Sequence, residues 1–223
     1  MTSRGSLRHM SGVVSAEDAE LVITSQSLYG GEGLNALILD DQDADGRAEL
    51  LIGFPRWNIS GYPEGAMYVA WGETVSDWLT MDCDAGALLS LEHAALTTVD
   101  EEDNLAGTSV AILNDLDGDG LSELVIGAPE ADSSSGTHGV GEVRVLLSGG
   151  ALSGGGAEVA YTDADITIQG AARGDYFGEQ ILATGDMDGD GLPELVVLAP
   201  GAGAGAWSMC SPPAGPWPRG RLP

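Results

Sequence analysis

The sequence predicts an all-β fold of short strands in repeated units. Three observations carry that prediction: three acidic loops share one internal spacing, short apolar runs flank each loop, and the pattern recurs about every seventy residues. Glu49 and Glu123 stand 74 residues apart, and Glu123 and Glu194 stand 71 apart. Units of that size, each unable to bury its own faces, stack into arrays.

Each unit begins with a glycine eight residues before its acidic loop: Gly33, Gly107 and Gly178. The apolar runs before the loops are Leu34 to Leu39, Ser109 to Leu113 and Gln180 to Thr184. Those after them are Leu50 to Gly53, Leu124 to Gly127 and Leu195 to Leu198. Runs this short, bounded by glycine or proline, suit buried strands rather than helices of about ten residues. A proline turn follows at Pro55, Pro129 and Pro200. Alternating stretches come next, Ala66 to Trp71 and Gly141 to Leu146, and read as third strands. Fourth strands are expected at Asp165 to Gln169, at Glu20 to Thr24, and near Ala87 to Leu91.

The loops carry the chemistry. The first holds Asp41, Asp43, Asp45, Gly46 and Glu49; the second Asp115, Asp117, Asp119, Gly120 and Glu123; the third Asp186, Asp188, Asp190, Gly191 and Glu194. Acids at positions 1, 3, 5 and 9 let oxygens converge on a hard divalent cation, and glycine at position 6 makes the sharp turn. Without a cation, four like charges within about nine residues repel one another. An EF-hand needs a bidentate glutamate at position 12. That position falls on Ile52, Ile126 and Val197, and the flanks are not helical, so the acid at position 9 must close each loop. Calcium is the expected ion, with magnesium a minor alternative because it prefers water-rich octahedral sites.

Phe177-Gly178, the acidic loops and Gly127-Ala128-Pro129 resemble the phenylalanyl-glycyl and glycyl-alanyl-prolyl signatures of FG-GAP repeats. Those repeats are the blades of the integrin α-subunit β-propeller and are similar to repeats in many bacterial surface proteins. The resemblance covers roughly residues 20–200. It implies an incomplete β-propeller of four-stranded antiparallel blades, about two full blades plus parts of two more. Loops 41–49, 115–123 and 186–194 would be the hairpins between first and second strands. It also implies that the main-chain carbonyls of Arg47, Leu121 and Leu192, at position 7, complete the ligand sets for up to three calcium ions. The chain departs from the pattern at Glu32 and Ala106, where phenylalanine is usual, at Phe54 for alanine and at Leu198 for glycine.

A propeller closes with about 4–8 blades, so further blades or chains are expected. Residues 1–18 and 201–223 read as disordered, with 19–200 the repeat segment. The tail holds five of the ten prolines and no acid, and no third strand is expected there. No secretory signal is visible at Met1 to Met10.

Composition excludes several functions. The net charge is −27, and three bound dications would leave about −21. Nucleic-acid binding runs on Lys and Arg neutralising phosphate, and anionic membranes attract basic segments, so neither partner fits. No apolar run approaches the roughly 18 residues a membrane span needs. The chain has no lysine, hence no phosphate-binding P-loop and no Schiff-base lysine. Motifs of zinc proteases and α/β-hydrolases are absent. His9, His93 and His138 read as solvated loop residues, and Cys83 and Cys210 as unpaired thiols with one disulfide as the alternative. Trp57, Trp71 and Trp78 read as packing residues, with Trp57 and Tyr62 the weaker candidates for a ligand surface.

The expected function is therefore non-catalytic: a calcium-binding module for a protein or glycan ligand, in the medium or at a cell surface. The rival is a propeller segment of a secreted hydrolase or lyase whose catalytic groups lie elsewhere. Because blades touch only their neighbours, the three cation sites are expected to bind independently.

Overall fold

The computed structural model describes residues 23–24, 35–55, 66–80, 87–88, 96–97, 104–148, 159–203 and 206–210. It is all-β, and its sheets are propeller blades of an incomplete ring.

The second blade is complete. Strands β7 (Ser109–Asn114), β8 (Ser122–Ala128), β9 (Glu142–Leu146) and β11 (Ile166–Gln169) form one antiparallel sheet in sequential order. Loop 115–121 is its first hairpin, with Leu113 opposite Glu123 and Asn114 opposite Ser122. The first blade repeats the order with β2 (Asn35–Leu39), β3 (Glu49–Phe54), β4 (Ala66–Ala70) and β6 (Leu96–Thr97). A short strand, β10 (Val159–Ala160), pairs in parallel on its outer edge. The two-residue strands β1 (Ile23–Thr24) and β5 (Ala87–Leu88) pair with each other, also in parallel. The third blade holds β12 (Gln180–Ala183), β13 (Leu195–Ala199) and β14 (Ala206–Cys210).

Three expectations change. The third blade does not stop after its second strand, because Ala206–Cys210 pairs along the whole of β13 within the tail expected to be disordered. The free edge of β13 supplies the hydrogen-bonding groups that the tail's composition does not advertise. The fourth strand of the first blade is Leu96–Thr97, and Ala87–Leu88 pairs with β1 instead. Helix α1 (Gly72–Thr80) follows β4, where no helix is expected. It starts with the Val75 amide donating to the Trp71 carbonyl (3.0 Å) and carries Glu73 in its first turn, which suits the helix dipole.

Alternation along the second strand of each blade builds two cores. Leu124, Ile126 and Ala128 join Leu39, Leu51, Met67 and Val69 of the first blade in one cluster. Val125, Val143 and Val145 join Leu195, Val197 and Ala199 of the third in the other. Strand β8 is consequently buried on both faces along its entire length. Where no further blade is described, the first strands open instead: Ile38 of β2 is 72 % exposed at one end of the stack and Leu182 of β12 59 % at the other.

Blades are also tied through the glycine that opens each unit. Asn35 Nδ2 donates to the Gly107 carbonyl at 3.0 Å, and Ser109 Oγ donates to the Gly178 carbonyl at 2.6 Å. That carbonyl comes so close to the preceding blade that a Cβ at Gly127 would lie 2.2 Å from it, and one at Gly53 would lie 3.1 Å away. Leu198 stands at the third equivalent position, where no such carbonyl is found among the described residues. Phe54, in place of alanine, packs edge-on against Tyr68 with ring centroids 5.2 Å apart. Ala106 and Phe177 both lie within the inter-blade cores.

Phe177→Ala should therefore destabilise the chain by about 3 kcal/mol, the cost of a cavity at a buried aromatic. Urea denaturation of the full chain, comparing transition midpoints, checks it.

Candidate metal centres

Each hairpin between first and second strands gathers its acids. In the second loop Asp115, Asp117, Asp119 and Glu123 place carboxylate oxygens within 4.8 Å of one another, and in the third Asp186, Asp188, Asp190 and Glu194 do the same. The first gathers Asp41, Asp43 and Glu49. The backbone explains the convergence. Position 6 takes positive φ at Gly46 (86°), Gly120 (90°) and Gly191 (92°), and position 4 does so at Gly118 (85°) and Gly189 (86°). Ala44 adopts the same left-handed turn with φ 62°, a conformation that costs an L-residue about 1–2 kcal/mol.

The aspartates brace the turn by accepting its amides. Asp41 accepts from Asp45 at 3.0 Å and Gly46 at 2.8 Å, and Asp186 accepts from Gly189 at 2.6 Å and Gly191 at 3.0 Å. Asp119 and Asp190 accept from the amides of Leu121 (2.8 Å) and Leu192 (2.9 Å).

The glutamates test whether a cation fits. Glu49, Glu123 and Glu194 are 1 %, 0 % and 0 % exposed, being the first or second residues of their strands or the residue just before. In each, Oε2 accepts one amide from position 2: Gln42 at 3.2 Å, Leu116 at 2.7 Å and Met187 at 2.6 Å. In each, Oε1 is buried with no hydrogen-bond partner. One buried orphaned carboxylate oxygen is costly and wants an explanation; three at the same place in three repeats fit a cation held beside the aspartates. Burial is the main cause that pushes the Glu49 and Glu123 carboxyls up to about 7, partly opposed by the amide each accepts.

The first loop differs at position 5. Asp45 Oδ2 pairs with Arg47 Nη1 at 2.9 Å and lies outside the cluster. In the second loop the matching Asp119 is steadied by Ser148 Oγ at 2.6 Å. The residue equivalent to Ser148 is Gly72, which has no side chain to offer, and a Cβ there would lie 2.4 Å from Arg47 Cβ. Sequence reasoning missed Ser148, Gln42 and Ser122 because none is a carboxylate. The signal available was the change of residue type at one repeat position.

Other candidates yield no catalytic arrangement among the described residues. His138, 74 % exposed, pairs with Asp132 at 2.6 Å on a loop surface. Glu142, Arg144 and Gln169 form a partly buried hydrogen-bonded group at 2.7 and 3.3 Å, with Arg144 over the Tyr161 ring. Trp71 packs partly buried against the first core. Trp57, Tyr62, Cys83, His9 and His93 lie outside the described residues. No helix among the described residues is long and apolar enough to cross a membrane.

Stacked antiparallel sheets, each carrying an acidic hairpin between its first and second strands, define the class as β-propeller blades. The FG-GAP repeat model matches residues 106–146 and 177–207, so these two segments are FG-GAP repeats, similar to those of integrin α-subunits. It is 27 % identical to rat (Rattus norvegicus) integrin alpha-7 over 183 residues, which is 80 % of this chain and 13 % of that protein. It is 30 % identical to phosphatidylinositol-glycan-specific phospholipase D, also from rat, over 169 residues, 74 % of this chain and 18 % of that protein. The chain thus spans less than a fifth of the length of either relative.

Three outcomes follow from the geometry. Ala44→Gly should stabilise the cation-free chain by about 1 kcal/mol by removing left-handed strain at a non-glycine residue, read by urea denaturation in EDTA. A carboxyl raised to about 7 keeps its proton in the folded state when the unfolded state has released it. Cation-free stability should therefore fall as pH rises from about 4.5 through 7. Protons also compete with a cation for these carboxyls, so calcium affinity at the first two loops should rise about tenfold between pH 6 and 8, measured by calorimetry.

Proposed function

We propose that this chain is a non-catalytic, calcium-stabilised propeller segment that presents rigid loops to a protein or glycan ligand outside the cell or at its surface. The observation that carries this reading is the set of three buried, half-satisfied glutamates facing clustered aspartates. The ligands are Asp41, Asp43, Asp45 and Glu49; Asp115, Asp117, Asp119 and Glu123; and Asp186, Asp188, Asp190 and Glu194. The carbonyls of Arg47, Leu121 and Leu192 supply the position-7 oxygens. Asp45 joins its set by leaving Arg47. Calcium suits sets of this size, since it takes six to eight oxygens in flexible geometry. The propeller segment begins near residue 19 and extends through β14 to Cys210.

The likeness to an integrin α-subunit supports the adhesive reading. The likeness to a phospholipase supports a second, in which the same blades scaffold a hydrolase whose reacting groups lie beyond these residues. Propellers serve both.

Titrating EDTA-treated chain with calcium chloride should give saturable heat for up to three ions. Calcium in excess over its dissociation constant should raise Tm by at least about 5 °C, reversed by EDTA. Heat and Tm indifferent to calcium refute the cation reading. Calcium-dependent retention on a glycan array or on immobilised matrix protein supports adhesion. Calcium uptake without such retention favours the second reading, whose reacting groups lie beyond these residues.

A further inference from the structure

A hydrogen-bonded bridge joins the first two cation loops. Position 2 of the first two loops lies where its blade meets the next, at Gln42 and Leu116, whereas Met187 of the third is 66 % exposed. Gln42 Nε2 donates to the Ser122 carbonyl at 3.3 Å, and the Ser122 hydroxyl donates to Asp40 Oδ2. Ser122 is buried and stands between Leu121 and Glu123, positions 7 and 9 of the second loop. The backbone amide of Gln42 meanwhile donates to Glu49 Oε2 at 3.2 Å. Gln42 therefore grips the closing acid of one loop with its main chain and the backbone beside the closing acid of the other with its side chain. Its Oε1 is buried without a partner, so the amide belongs to a half-satisfied network, the kind that small local changes reorder.

The next loop pair is joined differently. Leu116 packs into the apolar core, and Pro193, which replaces Ser122, has neither hydroxyl nor amide hydrogen to offer. An apolar contact excludes water without fixing a direction.

The first loop is also the one least ready for an ion. Asp45 is turned to Arg47, and Ala44 holds a turn that glycine takes freely. Freeing Asp45 and settling that turn have a cost that a pre-ordered neighbour can reduce.

We propose that the first and second cation sites are energetically coupled through Gln42 and Ser122, so that filling the second site raises the affinity of the weaker first. This rests on the cation reading above. The field of one bound ion opposes the binding of another, but salt screens such interactions beyond about 8 Å at physiological strength. The bonded contact then sets the sign, and the sites are not independent.

The test uses the full chain carrying Asp188→Ala to silence the third site, calcium chloride as probe, calorimetry for affinity and native mass spectrometry to count ions. Adding Asp117→Ala should weaken the first site about tenfold, within the usual range of coupling between sites. By reciprocity Asp41→Ala should weaken the second by the same factor, which keeps the measurement open if one variant folds poorly. In Gln42→Leu, which copies the residue of the second loop, or in Ser122→Ala, that effect should shrink below about twofold. A first site unchanged by Asp117→Ala overturns the coupling and leaves the cation reading intact. Coupling that survives both bridge variants overturns the role of Gln42 and Ser122. No calcium uptake by any loop overturns both readings.

Discussion

The structure turns on a carboxylate that is buried and only half satisfied. Glu49, Glu123 and Glu194 each sit at the start of the second strand of a blade, one oxygen on a backbone amide and the other on nothing. Left charged, such a group opposes folding; left protonated, it needs a partner for its hydroxyl. A dication beside the aspartates, as proposed, would answer both demands and join the two ends of the hairpin. The second strand is where that matters most, since its alternate residues feed different cores: Leu124 and Ile126 one way, Val125 the other. A slip of one residue would reverse every one of those contacts. Pinning the glutamate thus fixes the register on which both inter-blade cores depend.

The same economy of position explains the signature residues. The glycine that opens a unit turns its carbonyl toward the preceding blade, where Asn35 or Ser109 donates to it. The second strand below presents glycine at both places: at Gly127 a Cβ would strike that carbonyl at 2.2 Å, and at Gly53 it would crowd it at 3.1 Å. Leu198 is compatible with its place because no carbonyl descends on it among the described residues. The departures from the family pattern are thus local consequences of which neighbour each strand meets.

Much of this was legible in the amino acids. Acid spacing located the hairpins, and apolar runs located the first, second and third strands, since both signals are periodic and local. What escaped lacked a period. Leu96–Thr97 and Ala87–Leu88 are two residues long, too short to alternate, and only pairing decides which of them extends the first blade. Ala206–Cys210 is a strand because β13 offers an open edge, a tertiary cause invisible in a stretch rich in glycine and alanine. Helix α1 is short, and glycine opens it in place of a capping serine or aspartate. At the metal centres the acids were evident, but the pairing of Asp45 with Arg47 was not, because it depends on Gly72 standing where the second blade has Ser148.

Resemblance to both an integrin subunit and a phospholipase shows what the blades themselves contribute. Proteins with such different names carry segments similar to this stretch, which accords with the proposed reading of the repeats as a frame. A frame is useful when it is rigid, and here rigidity is conditional. With a net charge of −27 and acids crowded at one end of each sheet, the cation-free chain repels itself where its hairpins must close. On the proposed reading, bound calcium would relieve that local repulsion. Any surface formed by the loops at the other end of the blades would then inherit its order from ions it never touches, which is the physical content shared by the adhesive and the scaffolding readings.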